Sequence, residues 1–92
     1  MTAMLRVEAS PADPGWECTV EVAEDGGASR HVVRVQPADL ERWGRPDERP
    51  EDLVRRAFEF LLAREPASQV LRRFEVGDIQ RYFPEFDRVI RG

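Results

Sequence analysis

The sequence predicts an α+β domain in which a three-stranded antiparallel meander is followed by three or four helices packed on one face. Two observations lead to this prediction. The first part of the chain alternates apolar and polar residues with the period of a strand, and the second part has the wider spacing of amphipathic helices. A length of 92 residues fits a single domain, with the meander at 1–36 and the helical part at 37–92.

Three alternating runs, separated by turn-forming residues, predict the strands. The runs are MLRVEAS, WECTVEVA and RHVVRVQ, and the separating segments are PADPG and EDGGAS. A two-residue loop at Gly26-Gly27 and a four-residue loop from Asp25 to Ala28 would give the second and third strands the same register. In that register one face is apolar and the other is charged, and the apolar pairs are Val22–His31, Val20–Val33 and Cys18–Val35.

Proline and glycine divide the second part of the chain into helices. PADLERWG should begin at Pro37 and close at Gly44, and PEDLVRRAFEFLLARE, which should cover the apolar face of the sheet, begins at Pro50. Pro66 would end that helix and open the next one, PASQVLRRF. Gly77 is the expected N-cap of DIQRYF. A last helical turn after Pro84 would carry Phe86, Val89 and Ile90.

The charge pattern disfavours a nucleic-acid binder. All 14 basic residues are arginine, but the 18 acidic residues outnumber them. Residues 1–44 hold 4 arginines against 8 acidic residues, and residues 45–92 hold 10 of each. Nucleic-acid binders usually present a basic face, so this balance has the wrong sign in one half and is neutral in the other.

The same sequence predicts a cytoplasmic protein without a membrane role. No apolar run approaches the ~18 residues of a membrane span. The N-terminus lacks the basic and then apolar pattern of a signal peptide. The single cysteine cannot form an intrachain disulfide, which fits a reducing compartment.

The residues needed for catalysis or for a metal site are scarce. The chain has one His and one Cys, and in the predicted register Cys18 and His31 lie ~13 Å apart, too far for a nucleophile and its base. One residue of each type is too few for a metal site. Glu24 and Asp25 fit a turn, and no phosphate-binding glycine motif occurs. We therefore predict that the protein is not an enzyme and holds no metal or cofactor.

Protein–protein contact is the first functional hypothesis. A sheet edge can pair with another chain, and aromatic residues are enriched at interfaces. The candidate contacts to another protein, or to a second copy of this chain, are Trp43, Tyr82 and Phe86. The same aromatic residues could instead fill the core of so small a domain, and the sequence leaves both roles open.

The alternative hypothesis is an accessory protein that binds nucleic acid. Successive helices after residue 50, joined by short turns, could imitate a helix-turn-helix. Its candidate phosphate contacts are Arg55, Arg56, Arg72, Arg73 and Arg81.

One segment of the second part resembles a group of short, uncharacterised bacterial proteins. The segment is FEFLLAREPASQVLRRFEVGDIQRYFPEF, Phe58 to Phe86, and covers about a third of the chain. Members of the group have a helix that ends in an REP turn, then an LRRF helix, then an I-x-R-Y-F-P-E-F finish. The group has no assigned activity, so the resemblance implies no catalytic or binding residue.

Overall fold

The computed structural model describes residues 4–24 and 26–92, in which a four-stranded sheet is packed against helices. The strands lie in the order β1-β2-β3-β4. They are β1 (Met4–Pro11), β2 (Trp16–Glu24), β3 (Gly27–Val35) and β4 (Arg73–Glu75). The first three form the predicted antiparallel meander, and β4 runs parallel to β3. The prediction of an α+β domain is confirmed, whereas the prediction of three strands is only partly right.

Four α-helices and two short 3₁₀ turns complete the described part of the chain. The helices are α1 (Pro37–Trp43), α2 (Pro50–Leu62), α3 (Ile79–Tyr82) and α4 (Phe86–Arg91). The 3₁₀ turns are Ala67–Gln69 and Val76–Asp78. Both α1 and α2 begin at the predicted prolines. Each has an aspartate in its first turn, Asp39 or Asp52, whose carboxylate accepts a hydrogen bond from the backbone N–H three residues earlier.

The predicted helix PASQVLRRF is wrong, because only Ala67–Gln69 forms a 3₁₀ turn and its last two residues, Arg73 and Phe74, belong to β4. Phe74 is buried between exposed Arg73 and Glu75, which is the alternation of a strand. Phe74 lies opposite Val33, and the backbone N–H of Val32 donates to the carbonyl of Arg72 at 2.7 Å. Pairing with the edge of β3 therefore outweighs the local helical preference of this segment.

The predicted cap of the following helix is also wrong. Gly77 lies inside the 3₁₀ turn, and the N-cap position of α3 belongs to Asp78. The Asp78 carboxylate accepts a hydrogen bond from the backbone N–H of Glu75 at 3.0 Å. An acidic side chain can satisfy a backbone donor at this turn, which glycine cannot do.

The register of the β2–β3 hairpin differs from the prediction by two residues. The ladder ends at Glu24 opposite Gly27, so Gly27 belongs to β3 and not to the loop. Gly26 has φ +88°, a left-handed turn conformation that glycine adopts without strain; Asp25 lies outside the described residues. The observed pairs are Val22–Ser29, Val20–His31 and Cys18–Val33. A two-residue shift leaves every side chain on its predicted face, because side chains alternate with a period of two.

The core lies between the apolar face of the sheet and α2. The sheet contributes fully buried valines and Cys18, and α2 contributes the buried residues Leu53, Val54, Ala57, Phe58, Phe60 and Leu61. This confirms α2 as the cover of that face. Full burial of such a side chain stabilises the fold by about 1.5–3 kcal/mol, so this layer is a large part of the stability of the domain.

The turn between β1 and β2 yields a stability prediction. Gly15 has φ +114°, and a Cβ atom built on it would collide with the carbonyl oxygen of Val35. We expect Gly15→Ala to lower the free energy of unfolding by about 1–3 kcal/mol, because alanine would be strained there and would push β3 away. Urea denaturation followed by circular dichroism measures the change. Gly27→Ala is the control, since its Cβ would meet nothing within 4 Å; equal losses in both variants would contradict the prediction.

Candidate functional site

Two of the three predicted aromatic contacts lie in the core. Trp43 is 3% exposed and Phe86 is 0% exposed, and their rings meet edge to face with centroids 5.3 Å apart. The indole N–H of Trp43 donates to Asp87 at 2.9 Å. The prediction that Trp43 and Phe86 contact a partner is therefore wrong, because a small domain needs these large rings to fill its interior.

Tyr82 is different, because it remains 67% exposed on the rim of an apolar groove. We call this groove, with a volume of about 290 Å³, the Tyr82 groove. Its apolar lining comes from α2, β4, α3 and the segments between them: Leu61, Val70, Leu71, Phe74, Ile79 and Phe83. Leu71 is 51% exposed, so two large side chains stand open to solvent beside one cavity.

The groove depends on a buried hydrogen bond that holds one of its walls. The His31 ring is 0% exposed, and its Nδ1 lies 2.8 Å from the carbonyl oxygen of Leu71. A carbonyl only accepts, so Nδ1–H is the donor, and the Ser29 hydroxyl can donate to Nε2 at 2.8 Å. The bond fixes the backbone of Leu71 just before β4. The side chain of Leu71 is then left at the surface. The ring of Phe74 packs against that of Phe58, with their centroids 6.0 Å apart.

Acidic groups stand beside the apolar lining. Glu65 and Asp78 both line the Tyr82 groove. Asp78 forms an ion pair with Arg81 at 3.7 Å, whereas no ion pair of Glu65 occurs among residues 4–24 and 26–92. The groove therefore combines an apolar floor with an acidic rim, which suits an apolar side chain next to a basic one.

The arginines of the nucleic-acid hypothesis lie on separate elements and have different roles. Arg56 is held by Glu48 at 2.7 Å and donates to the carbonyls of Trp43 and Ile90, so it joins α2 to two other segments. The hydrogen bond from Arg56 is the main reason why the pKa of Glu48 is lowered. Arg55 donates to the carbonyl of Leu5 at 3.1 Å.

The remaining candidates do not build a basic face either. Arg73 pairs with Glu17 at 3.4 Å, Arg81 pairs with Asp78, and Arg72 is exposed just before β4. A helix-turn-helix that uses an LRRF helix is wrong, because that segment contains a strand. The uncovered face of the sheet alternates in sign along its rows, as in Arg6–Glu21–Arg30 and Glu17–Arg34–Glu75.

The two residues that could act as nucleophile and base, Cys18 and His31, are both buried. Burial raises the pKa of the Cys18 thiol from 9.0 to about 12, and the charge of Glu51 adds to this shift. In the observed register Cys18 lies opposite Val33, so His31 is roughly 7 Å away along the ladder and not ~13 Å. That distance still exceeds hydrogen-bond reach. Within the described residues, no group of three or more His, Cys, Asp or Glu side chains could hold a metal ion.

Comparisons with known proteins leave the chain without an assigned relative. No family profile, no curated protein and no solved structure matches it. The resemblance of Phe58–Phe86 to short bacterial proteins therefore stays a prediction. Within residues 4–24 and 26–92, no helix is both long enough and apolar enough to cross a membrane.

Sequence reasoning found Tyr82 but missed Leu71 and Glu65. The sequence LRRFE gave no signal for an exposed Leu71, because Leu71 and Phe74 are three residues apart, as on one face of a helix. No signal in the sequence could place Glu65 and Tyr82 at one groove, because the first follows α2 and the second lies on α3.

Phe86 and Tyr82 should respond differently to truncation. We expect Phe86→Ala to lower the free energy of unfolding by about 3–5 kcal/mol, because it removes a ring packed against Trp43 and Phe60. Tyr82→Ala should change it by less than about 1 kcal/mol, because the side chain is mostly exposed. Chemical denaturation of both variants checks this, and similar losses would place Tyr82 in the core.

The thiol of Cys18 should make stability depend on alkaline pH. Its pKa is 9.0 when exposed and about 12 in the fold, so the unfolded chain releases this proton first as pH rises. The stability due to this group is complete below pH 9 and falls by about 1.4 kcal/mol per pH unit towards pH 12. Denaturation curves from pH 8 to 11 measure the slope. Cys18→Ala is the control and should remove the part of the slope that is due to the thiol. A slope that Cys18→Ala leaves unchanged would show that Cys18 is not its source.

Proposed function

We propose that this protein is a small non-catalytic interaction module that docks a segment of another protein in the Tyr82 groove. The supporting observation is the placement of two exposed large apolar residues, Leu71 and Tyr82, beside one apolar groove. Exposed apolar side chains that are scattered singly need no explanation, whereas clustered ones are typical of binding surfaces. The other two exposed large apolar residues of the described chain, Met4 and Val89, line no part of this groove.

The chemistry of the groove indicates what it binds. A volume of about 290 Å³ accommodates one or two large side chains, and the lining favours Leu, Met or Phe. Glu65 lies at the rim without an ion pair among the described residues, and the chain has a net charge of −4. The partner segment should therefore carry an apolar anchor next to Arg or Lys.

The expected affinity is modest. Burial of one or two anchors contributes about 1.5–3 kcal/mol each, and loss of freedom on association offsets part of that gain. A dissociation constant in the micromolar range, about −8 kcal/mol or weaker, fits a groove of this size.

Selection from a random-peptide display library tests this function. The immobilised protein should enrich peptides with a large apolar residue beside Arg or Lys. Tyr82→Ser and Leu71→Ser should each weaken the selected peptide by about tenfold or more, which corresponds to ~1.4 kcal/mol, as measured by isothermal titration calorimetry.

Val89→Ser is the matched control, because Val89 is 44% exposed on α4 outside the groove. It should leave the affinity unchanged. A failure to enrich any peptide, or an affinity that Tyr82→Ser leaves intact, would end this proposal.

The nucleic-acid alternative has weaker support. Its arginines lie on α2, on α3 and in the segment at the start of β4, and three of them form ion pairs with Glu48, Glu17 and Asp78. Phosphate contacts require arginines that face one surface together.

A further inference from the structure

The backbone hydrogen bonds show which groups of β1 point away from the sheet. Val32 donates to Arg72 on the β4 side, so its pair with Thr19 is not hydrogen-bonded. In an antiparallel sheet the N–H and C=O of one residue point to the same side of its strand. Those of Thr19 do not point to Val32, so they point to β1 and bond to Glu8, and this direction alternates from one residue to the next. The backbone groups on either side of Glu8, those of Val7 and Ala9, therefore point outward.

A second contact agrees with this direction. By the same alternation the carbonyl of Leu5 also points outward, and it accepts a hydrogen bond from the Arg55 side chain at 3.1 Å. Among the described residues β1 pairs only with β2, so Leu5, Val7 and Ala9 present the backbone groups of an open edge.

The side chains along this edge form a self-complementary pattern around Val7. Arg6 and Glu8 lie on either side of it on the uncovered face, with side chains 73% and 70% exposed. Leu5, Val7 and Ala9 lie on the opposite face and are only half-buried against the core. A copy of the strand turned by 180° about Val7 would place Arg6 opposite Glu8, and Leu5 opposite Ala9.

We propose that two copies of this chain associate by pairing their β1 edges antiparallel about a two-fold axis at Val7. Val7 then faces Val7 of the second copy in a hydrogen-bonded pair. Arg6 faces Glu8 of the second copy in a non-bonded pair, in which side chains lie closest. The sheets join into one, and the half-buried apolar side chains of β1 gain cover.

Other registers are less favourable for stated reasons. An axis at Arg6 or at Glu8 would place two like charges directly opposite one another, which destabilises a sheet. A shift towards Pro11 would bring a residue without an N–H into the new ladder. The hydrogen bond from Arg55 to Leu5 must be shared or released on pairing, so Arg55→Ala should not weaken the association.

Charge reversal tests the register. Analytical ultracentrifugation should show that the wild-type protein forms dimers as its concentration is raised to ~1 mM. Arg6→Glu gives an acidic edge and Glu8→Arg gives a basic one, so each alone should weaken self-association by about tenfold or more. An equimolar mixture of the two variants should restore dimers, because the acidic edge then faces the basic one. Circular dichroism checks that each variant is folded.

A cross-linking experiment covers the case in which a charge variant fails to fold. Opposed Cα atoms in a hydrogen-bonded pair lie ~5.5 Å apart, which suits a disulfide. Val7→Cys should therefore form a covalent dimer under mild oxidation, whereas the control Glu8→Cys should not, because the two substituted positions are displaced along the strands. Cys18 should not interfere, because it is fully buried and its pKa is raised to about 12.

Three results would overturn the proposal. They are a wild-type monomer at ~1 mM, a dimer that survives both charge reversals, and a mixture that stays monomeric. The test is independent of the Tyr82 groove, which lies on the β4 side of the sheet. Tyr82→Ser should leave self-association intact, and Arg6→Glu should leave peptide binding intact, so each proposal can fail alone.

Discussion

The hydrogen bond from His31 to the carbonyl of Leu71 connects the two parts of the chain at the edge of the meander. His31 is fully buried on β3, and its acceptor lies 40 residues away just before β4. Loss of this bond would leave a buried polar group unsatisfied and lower the free energy of unfolding by about 1–3 kcal/mol, a large share of the stability of a small domain. The bond fixes where β4 begins, and therefore which side of the segment enters the core. Phe74 packs against Phe58, Leu71 stays outside, and the Tyr82 groove forms beside them.

Because β4 pairs with β3 on one side only, the sheet has two unlike edges. On the β4 side, a three-residue strand pairs with Val32, Val33 and Arg34 and covers that part of the edge of β3. On the β1 side, an eight-residue strand has no second partner strand within residues 4–24 and 26–92; Arg55 bonds one of its carbonyls and Pro11 stands at its end. Charged side chains and a terminal proline limit unspecific pairing at such an edge, and complementary charges permit one specific pairing. The two proposed contacts of the molecule therefore lie at opposite edges.

Residues that sequence reasoning treats as candidates for chemistry or contact serve mainly as structural links. His31 joins β3 to the segment before β4, and Arg56 joins α2 to Trp43 and Ile90. The indole N–H of Trp43 on α1 donates to Asp87 on α4, so that carboxylate ties α1 to α4. In a chain of 92 residues each link closes a long loop, and removal of one partner would leave a buried polar group unsatisfied.

The sequence alone determined the meander, the faces of its strands, the starts of α1 and α2, and the burial of Val20, Val22, Val33 and Val35. These features depend on alternation, proline positions and helical spacing, which are local. It also singled out Tyr82. It could not determine β4, the hairpin register, or the burial of Trp43 and Phe86. LRRFE is compatible with helix and strand, and only pairing with Val32 and Val33 selects the strand. Likewise, an aromatic side chain fits a core or an interface equally well until distant segments meet. Tertiary packing alone decided that Phe86 fills the interior while Tyr82 and Leu71 face outward.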